Sequence, residues 1–223
     1  MKIIECEQGT PQWIAARLGR PSASNFDRLV TPATRKPSAQ AHGYVMELLA
    51  EWLLGQPVKD AGGGGFMGRG SEFEARARAA YEFEAGAAVE RVGYCLRDDE
   101  TAGCSPDGFV GRDGLVEIKV HAVWRHVAFL LDAAELAKEH AAQAQGQLWI
   151  TGRAWVDLYA WHPTLPAVRV RVTPDAEYHA ALAQAVAAAD ARIRAGRAAL
   201  LARGIEPRKP AQPSALNEEG MPW

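Results

Sequence analysis

Alternating apolar and polar residues predict a β-strand over residues 115–120 in the middle of the chain. A period of two places Leu115, Glu117 and Lys119 on one face of this strand. The other face carries only aliphatic side chains, so we expect it to lie in the core. An anion and a cation two residues apart therefore point the same way from the first face.

A glycine-bracketed turn over residues 111–114 precedes this strand and predicts a hairpin with residues 108–110 as its partner strand. In a regular hairpin, Asp107 would pair opposite Ile118, and its side chain would face the core. A bulge, or a strand that ends at the neighbouring glycine, would let the Asp107 carboxyl swing across to Glu117. We therefore expect a local break in the strand at this point.

Apolar residues spaced three and four apart predict helices through much of the remaining chain, and capping residues mark their ends. Thr10 and Pro11 begin the first helix, and Ser22 or Ser24 caps a short second one. The longer helices are predicted over residues 39–54, 66–85, 122–131, 135–149 and 174–202. Further strands are predicted over residues 89–97, 153–161 and 167–173.

The order of these elements is helices, a three-stranded meander, helices, two strands and a long helix. This order predicts an α/β (α+β) fold with a mixed central sheet of about five strands flanked by helices. The chain has 223 residues, 48% of them hydrophobic, which is enough for one sizeable core. We expect a single domain over residues 1–204 and a polar, poorly ordered tail over residues 205–223.

Composition narrows the class of protein. No apolar run is long enough for a membrane span, and the first residues do not form a signal peptide, so no membrane association is expected. Three cysteines without metal-like spacing indicate a reducing cytoplasm and argue against a zinc or iron–sulfur site. The net charge is −2, so any contact with nucleic acid must come from a local basic patch.

The hairpin gathers two carboxylates and an ammonium group. Carboxylate oxygens are ligands for Mg²⁺ or Mn²⁺. Crowding by such cations lowers a lysine pKa, so Lys119 is expected to orient or deprotonate an attacking water. This combination is typical of metal-dependent phosphodiester hydrolysis. The alternative is a surface hairpin with a Glu–Lys ion pair, because the bare pattern is common by chance.

Other polar residues have two interpretations each. Arg17 and Ser24 lie near a helix start and together suit a phosphate, or they are a solvated arginine and a cap. Glu74 is four residues before Arg78, as in an ordinary helical ion pair. The glutamine-rich segment after His140 places two of its glutamines on one helix face and the third elsewhere. Those glutamines are interpreted as surface residues or as contacts to a DNA backbone.

Four blocks of the sequence resemble the phage lambda exonuclease family, the YqaJ-like viral recombinase nucleases within the PD-(D/E)xK superfamily. The resemblance runs from about residue 8 to about residue 179 and keeps the order and distances found in the family. It implies a restriction-endonuclease-like core. The blocks are EQGTPQWIAARLGRPSASNF, GRGSEFEARARAAYEF, SPDG followed by EIK, and HAAQAQGQLWIT.

The resemblance implies a role for each catalytic position. Asp107 and Glu117 would hold divalent ions of Mg²⁺ or Mn²⁺, as in two-metal-ion hydrolysis, and Lys119 would act on the attacking water. Glu74 would complete the metal site from its helix, and the Ile118 carbonyl is a further metal ligand.

The resemblance also implies a substrate and partners. Arg17, Ser24, Ser105 and Gln145 match the family positions that gather around the 5′-terminal phosphate. Enzymes of the family degrade one strand of double-stranded DNA from its 5′ end and leave a 3′ single-stranded overhang. They are typically ring-shaped homotrimers that work beside a single-strand annealing protein in phage recombination. A cytoplasmic phage or prophage protein of a bacterial host is therefore expected.

One departure and three alternatives remain open. The family often continues its catalytic strand with Cys-Pro, whereas Val120 and His121 follow here, and His121 has either a metal or phosphate role or a structural one. A RecB-like repair nuclease is an alternative, although many of that group carry four cysteines for an iron–sulfur cluster. An inactive DNA-end-binding module would usually lack one of the catalytic residues. A sequence-specific endonuclease would need base-reading loops that the sequence does not show.

Overall fold

The structure is a computed structural model that describes residues 1–58 and 67–208, with residues 67–72 described by their backbone alone. Most of the predicted tail, residues 209–223, lies outside the described residues. Among those described, no helix is both long and apolar enough to cross a membrane.

Helices and strands alternate in blocks along the described chain. The strands are β1 (Lys2–Ile4), β2 (Val89–Glu90), β3 (Tyr94–Leu96), β4 (Gly103–Cys104), β5 (Gly108–Val110), β6 (Gly114–Lys119), β7 (Trp155–His162) and β8 (Leu165–Val172). The α-helices are α1 (Pro11–Arg17), α2 (Ala41–Leu54), α3 (Met67–Ala85), α4 (Val123–Leu131), α5 (Ala134–Glu139), α6 (Ala141–Thr151) and α7 (Ala176–Ala202). A short 3₁₀ helix, Ala23–Arg28, follows α1.

A five-stranded mixed sheet in the order β2-β5-β6-β7-β8 forms the centre of the fold. Its β6 and β7 are parallel, and its other neighbours are antiparallel. A second sheet, β1-β3-β4, lies beside it. The mixed α/β architecture with about five central strands and flanking helices is therefore confirmed.

The central strand β6 is buried on both faces. Leu115 belongs to the larger core, which includes residues of α2, α6 and α7. Val116 and Ile118 pack on the other face against Ala77 and Tyr81 of α3. The prediction that the aliphatic face lies in the core is confirmed for Val116 and Ile118, and the opposite face is buried as well because helices cover the sheet on both sides.

Two predicted elements are divided in the structure. The strand predicted over residues 89–97 becomes β2 and β3, which belong to different sheets. Between them, Gly93 approaches β1 so closely that a Cβ atom there would lie 2.3 Å from the Ile4 carbonyl oxygen. The helix predicted over residues 135–149 breaks at His140, which ends α5 and precedes α6 with non-helical dihedral angles.

Candidate active site

The hairpin of β5 and β6 sets the position of Asp107. Val110 pairs with Gly114, and Gly108 pairs with Val116, so the turn has three residues and begins at Gly111 with a φ of 56°. Continued by one residue, this register places Asp107 opposite Glu117. The predicted pairing with Ile118 was wrong, because it assumed a turn shorter by one residue. The predicted break is present, since β5 begins at Gly108 and leaves Asp107 outside the ladder.

A backbone hydrogen bond fixes the Asp107 side chain. Its Oδ2 accepts from the Ile118 N–H at 2.6 Å. The carboxyl group therefore lies against the backbone between Glu117 and Lys119. Burial raises the pKa of Asp107 well above its usual value, and the negative charges of Glu117 and Glu74 raise it further. The Ile118 N–H and the Lys119 ammonium oppose this shift.

Glu117 is held by two glutamines of α6. Its side chain is 6% exposed. Gln143 Nε2 donates to Glu117 Oε1 at 2.5 Å, and Gln147 Nε2 donates to Glu117 Oε2 at 2.5 Å. The two glutamines do share a helix face, but that face points at β6. Neither the surface interpretation nor the DNA-backbone interpretation anticipated this contact, although the spacing of four residues was a signal for it.

Lys119 lies beside the same carboxylate. Its Nζ donates to Glu117 Oε1 at 2.9 Å and to Gln143 Oε1 at 2.9 Å. Burial lowers the pKa of Lys119, but the charge of Glu117, its hydrogen bond and the charge of Asp107 outweigh burial and leave the pKa raised. The expectation of a lowered pKa assumed crowding by cations, whereas the neighbouring protein groups are carboxylates.

The donor chemistry of this cluster fits a hard dication. Asp107 and Glu117 bring carboxylate oxygens into one buried space, and only part of their charge is offset by Lys119. Burial and the charge of Glu117 both disfavour the ionised form of Asp107, and a bound cation would offset these effects. Oxygen ligands of this kind suit Mg²⁺ or Mn²⁺.

Glu74 approaches the cluster from α3. Its Oε1 accepts from Arg78 at 2.7 Å, so the ordinary helical ion pair is present. Its charge also acts on Asp107. Among the described residues, one group of three possible metal ligands has its donor atoms within 4.8 Å of one another. It consists of His121, Glu139 and His140 and does not include Glu74. Glu74 is thus near enough to affect Asp107 electrostatically, but its carboxylate does not form a three-ligand group with Asp107 and Glu117 among the described residues.

The four residues predicted to bind the 5′ phosphate do not all lie at one site. Arg17 and Ser24 line one cavity of about 350 Å³, together with Arg20 and Arg28. Arg28 donates hydrogen bonds of 2.5 and 2.8 Å to Glu47, so the negative charge of Glu47 offsets part of the positive charge of Arg28 in this cavity.

Ser105 connects this cavity to the carboxylates. The Arg17 guanidinium stacks on the Trp13 ring at 4.1 Å from the ring centroid. Trp13 Nε1 in turn donates to Ser105 Oγ at 2.7 Å. Because Ser105 precedes Asp107 by two residues, a short chain of contacts joins the arginine-lined cavity to the carboxylate cluster.

Gln145 lies elsewhere. Its Nε2 donates to the Thr173 carbonyl at 2.8 Å, and its Oε1 accepts from the Asp175 N–H at 2.9 Å. Both ends of the amide therefore bind the segment that leads into α7, where Asp175 caps the helix by accepting from the Tyr178 N–H. The structure does not bring Gln145 together with Arg17 and Ser24.

His121 follows β6 and contacts the α5–α6 junction. Its Nε2 lies 3.2 Å from His140 Nε2, and its ring packs edge-on against Phe129.

Comparison with known proteins agrees with this geometry. The model of the YqaJ-like viral recombinase domain matches residues 12–154. An alkaline exonuclease from Laribacter hongkongensis is 32% identical, with 87% of this chain and 98% of that chain covered and a TM-score of 0.76. Its complex with dAMP superposes with a TM-score of 0.74 over the same shares of both chains. Comparison with the curated proteins finds no match.

A more distant structure shares the fold. The phage-related exonuclease from Haemophilus somnus is 18% identical, covers 83% of this chain and 96% of its own, and has a TM-score of 0.65.

The fold, the carboxylate–lysine cluster and these matches define the chain as an exodeoxyribonuclease. The chain belongs to the YqaJ-like viral recombinase family, so the resemblance to lambda-type exonucleases is confirmed.

Proposed function

We propose that this protein is a Mg²⁺-dependent 5′→3′ exonuclease that starts at the ends of double-stranded DNA and leaves 3′ single-stranded overhangs for phage-type recombination. One observation carries the proposal. The Asp107–Glu117–Lys119 cluster is joined through Ser105 and Trp13 to an arginine-lined cavity. A phosphodiester-cleaving centre next to an anion pocket is the arrangement that end-dependent hydrolysis requires.

The metal site is assigned to oxygen donors. Asp107 and Glu117 hold the ion, with the Ile118 carbonyl and Glu74 as further ligands. When bound, Mg²⁺ supplies Lewis-acid activation of the scissile phosphate and offsets the buried negative charge. This is the catalytic site of the PD-(D/E)xK type that the resemblance implies.

The side chains around the ion have separate tasks. Lys119 is assigned to the attacking water, which it orients or deprotonates. The charges of Glu117 and Asp107 raise the pKa of Lys119, and a bound dication would oppose that shift. Gln143 and Gln147 each donate a hydrogen bond to one oxygen of Glu117, and these two bonds orient the carboxylate towards the site.

The polarity of digestion is assigned to the cavity. A terminal phosphate carries more negative charge than an internal one and has no onward sugar. Arg17 is the planar donor for that group, and its guanidinium lies over the Trp13 ring. Ser24 lines the same cavity, and Ser105 is joined to it through Trp13, so both are assigned as hydroxyl partners of the phosphate. Each cleavage generates a new 5′ phosphate, which the same cavity accepts as the duplex advances.

Ring assembly is proposed from one surface. The helix α4 exposes an apolar stripe, which includes Trp124 at 72% exposure and Leu131 at 84%. A helix with an exposed apolar face of this kind usually packs against a partner. We propose that the stripe lies between subunits of a homotrimeric ring around the duplex. The number three comes from the resemblance to the family, as do a single-strand annealing partner and a cytoplasmic location. The stripe comprises Val123, Trp124, Val127, Leu130 and Leu131.

Digestion of a linear duplex labelled in turn at its 5′ and 3′ ends tests this function. With Mg²⁺, the 5′ label is released first as mononucleotide, while the 3′ label stays on a shortening duplex that becomes single-stranded. Chelator abolishes both. Early release of the 3′ label, or internal cuts in a circular duplex, would contradict the proposal.

A further inference from the structure

Two histidines and a glutamate form a cluster outside the carboxylate centre. His121 follows β6, and Glu139 and His140 lie at the junction of α5 and α6. Their donor atoms all lie within 4.8 Å of one another. The family resemblance assigns nothing to this cluster, since the position of His121 departs from the usual Cys-Pro pair.

The distance between the two rings suits a shared metal ion. The His121 and His140 Nε2 atoms are 3.2 Å apart. Two imidazole nitrogens about 2.0–2.1 Å from one ion lie about 2.9 Å apart at a right angle and about 3.4 Å apart at the tetrahedral angle. The observed separation falls between these limits. Glu139 Oε1 lies 3.8 Å from His140 Nε2, about 0.4 Å more than the separation of two donors at the tetrahedral angle.

The protonation of the rings is compatible with metal binding. Burial lowers the pKa of His140 to about 4, and it also lowers the pKa of His121. Both rings are therefore neutral near pH 7 and can offer a lone pair. Glu139 supplies the negative charge, although Arg125 binds its other oxygen.

We propose that His121, His140 and Glu139 form a binding site for a transition-metal dication of the Zn²⁺, Co²⁺ or Ni²⁺ class. Imidazole nitrogen favours these ions over Mg²⁺, which prefers oxygen. The bound ion fastens the end of β6 to the α5–α6 junction, immediately before the helix that carries Gln143 and Gln147. A solvent molecule fills the remaining coordination position, because Glu139 is exposed.

The competing explanation is a simple hydrogen bond between the two neutral rings, with Glu139 committed to Arg125. That arrangement needs no ion and gives the histidines no special affinity for one. The two explanations differ in what zinc does to the DNA-free protein, so catalysis need not be measured.

The test is a calorimetric titration of chelator-treated protein with Zn²⁺ in the presence of millimolar Mg²⁺, which occupies the oxygen-ligand site. His121→Ala and His140→Ala should each weaken zinc binding at least about tenfold, and Glu139→Gln should weaken it less. His42→Ala, which removes an exposed histidine of α2, is the matched control and should bind like the wild type. Equal affinity in the wild type and in a His121→Ala, His140→Ala double variant would overturn the proposal.

Spectra of the wild-type protein give a second measurement that does not depend on how the variants fold. Co²⁺ should produce visible d–d absorption without the near-ultraviolet thiolate band that binding to the three cysteines would give. The side-chain nitrogen resonances of His121 and His140 should move on addition of Zn²⁺, while that of His42 stays in place. Movement of His42 alone would also count against the site. Asp107→Ala should keep the zinc site while losing hydrolysis, which separates this proposal from the nuclease function.

Discussion

The Ile118 N–H donates to Asp107 Oδ2 at 2.6 Å across the β5–β6 hairpin. This bond ties a carboxylate to the backbone of the strand that carries Glu117 and Lys119. The backbone of the hairpin thus sets the orientation of the Asp107 carboxyl group.

Asp107→Asn separates that structural bond from the charge. Asparagine keeps an oxygen that can accept from the Ile118 N–H, so the thermal midpoint should stay close to that of the wild type. Turnover should be abolished, because a neutral amide is a poor ligand for Mg²⁺. Asp107→Ala should lose turnover as well while still binding DNA ends. Rates and DNA-end affinity are compared for all three proteins. Activity within about tenfold of wild type would remove Asp107 from the metal site.

Lys119→Ala should lower the cleavage rate at least about 10²-fold, the lower end for general acid–base assistance. The Mg²⁺ concentration for half-maximal activity should change little, because Gln143 and Gln147 still hold Glu117. The rate is measured as a function of Mg²⁺ and of Mn²⁺. A variant that loses metal affinity but regains full rate at saturating Mn²⁺ would show that Lys119 acts on the metal site.

Two glutamines on one helix offer a matched pair. Gln147→Leu removes a donor to Glu117 Oε2 and should raise the Mg²⁺ requirement about 10–100-fold, the usual effect of losing a group that orients a ligand. Gln145→Ala removes bonds to the start of α7 and should lower the free energy of unfolding by about 1 kcal/mol per bond. Its Mg²⁺ requirement should remain that of the wild type. If the two variants changed the Mg²⁺ requirement equally, Glu117 would not be the point of contact.

Arg17→Ala tests the reading of the DNA end. The wild type should digest 5′-phosphorylated duplex faster than 5′-hydroxyl duplex. Loss of one charge-assisted contact costs about 1.5–3 kcal/mol, so the variant should lose roughly 10- to 100-fold of that preference. Initial rates on the two substrates give the ratio. Arg194→Ala, an exposed arginine paired within α7, serves as the control with an unchanged ratio. An unaltered ratio in Arg17→Ala would place the phosphate pocket elsewhere.

Leu131→Glu should break the proposed ring. A charge in the apolar stripe of α4 is unfavourable once the stripe is covered, so light scattering at micromolar concentration should show monomers in place of trimers. Phe83 on α3 is 89% exposed and lies outside the stripe, so Phe83→Glu should leave the assembly intact. A monomeric wild type would refute the ring, and a trimeric Leu131→Glu would move the interface to another surface.

Local pattern was sufficient where local forces decide the structure. The alternation before Val120 predicted β6, and Thr10 caps α1 through its side chain as its residue type indicates. The hairpin register was wrong by one residue because it depends on the left-handed conformation of Gly111, which periodicity does not report. The division at Gly93 depends on a close approach of β1, a contact between distant parts of the chain.

The site shows the same limit. The residue types of the carboxylate–lysine cluster were visible in the sequence, because charged residues on a buried strand contradict its apolar pattern. The partners of Glu117 were not visible, since 26 and 30 residues separate it from Gln143 and Gln147. Gln145 belongs to the same glutamine-rich segment but points towards α7. Gln143 and Gln147 contact Glu117 and Gln145 contacts the start of α7 because their side chains leave α6 in different directions.

The burial of β6 on both faces has a consequence for any attempt to shorten this enzyme. A fragment that ended at Lys119 would contain every acidic and basic residue proposed for catalysis. It would lack β7, which pairs with β6 from Gly114 to Lys119, and the α6 amides that grip Glu117. In such a fragment β6 would be an unpaired edge strand, and the face of β6 that α6 covers would be exposed to water. A fragment that ends at Lys119 should therefore be inactive. A separate peptide that covers α6 and β7 should restore its activity.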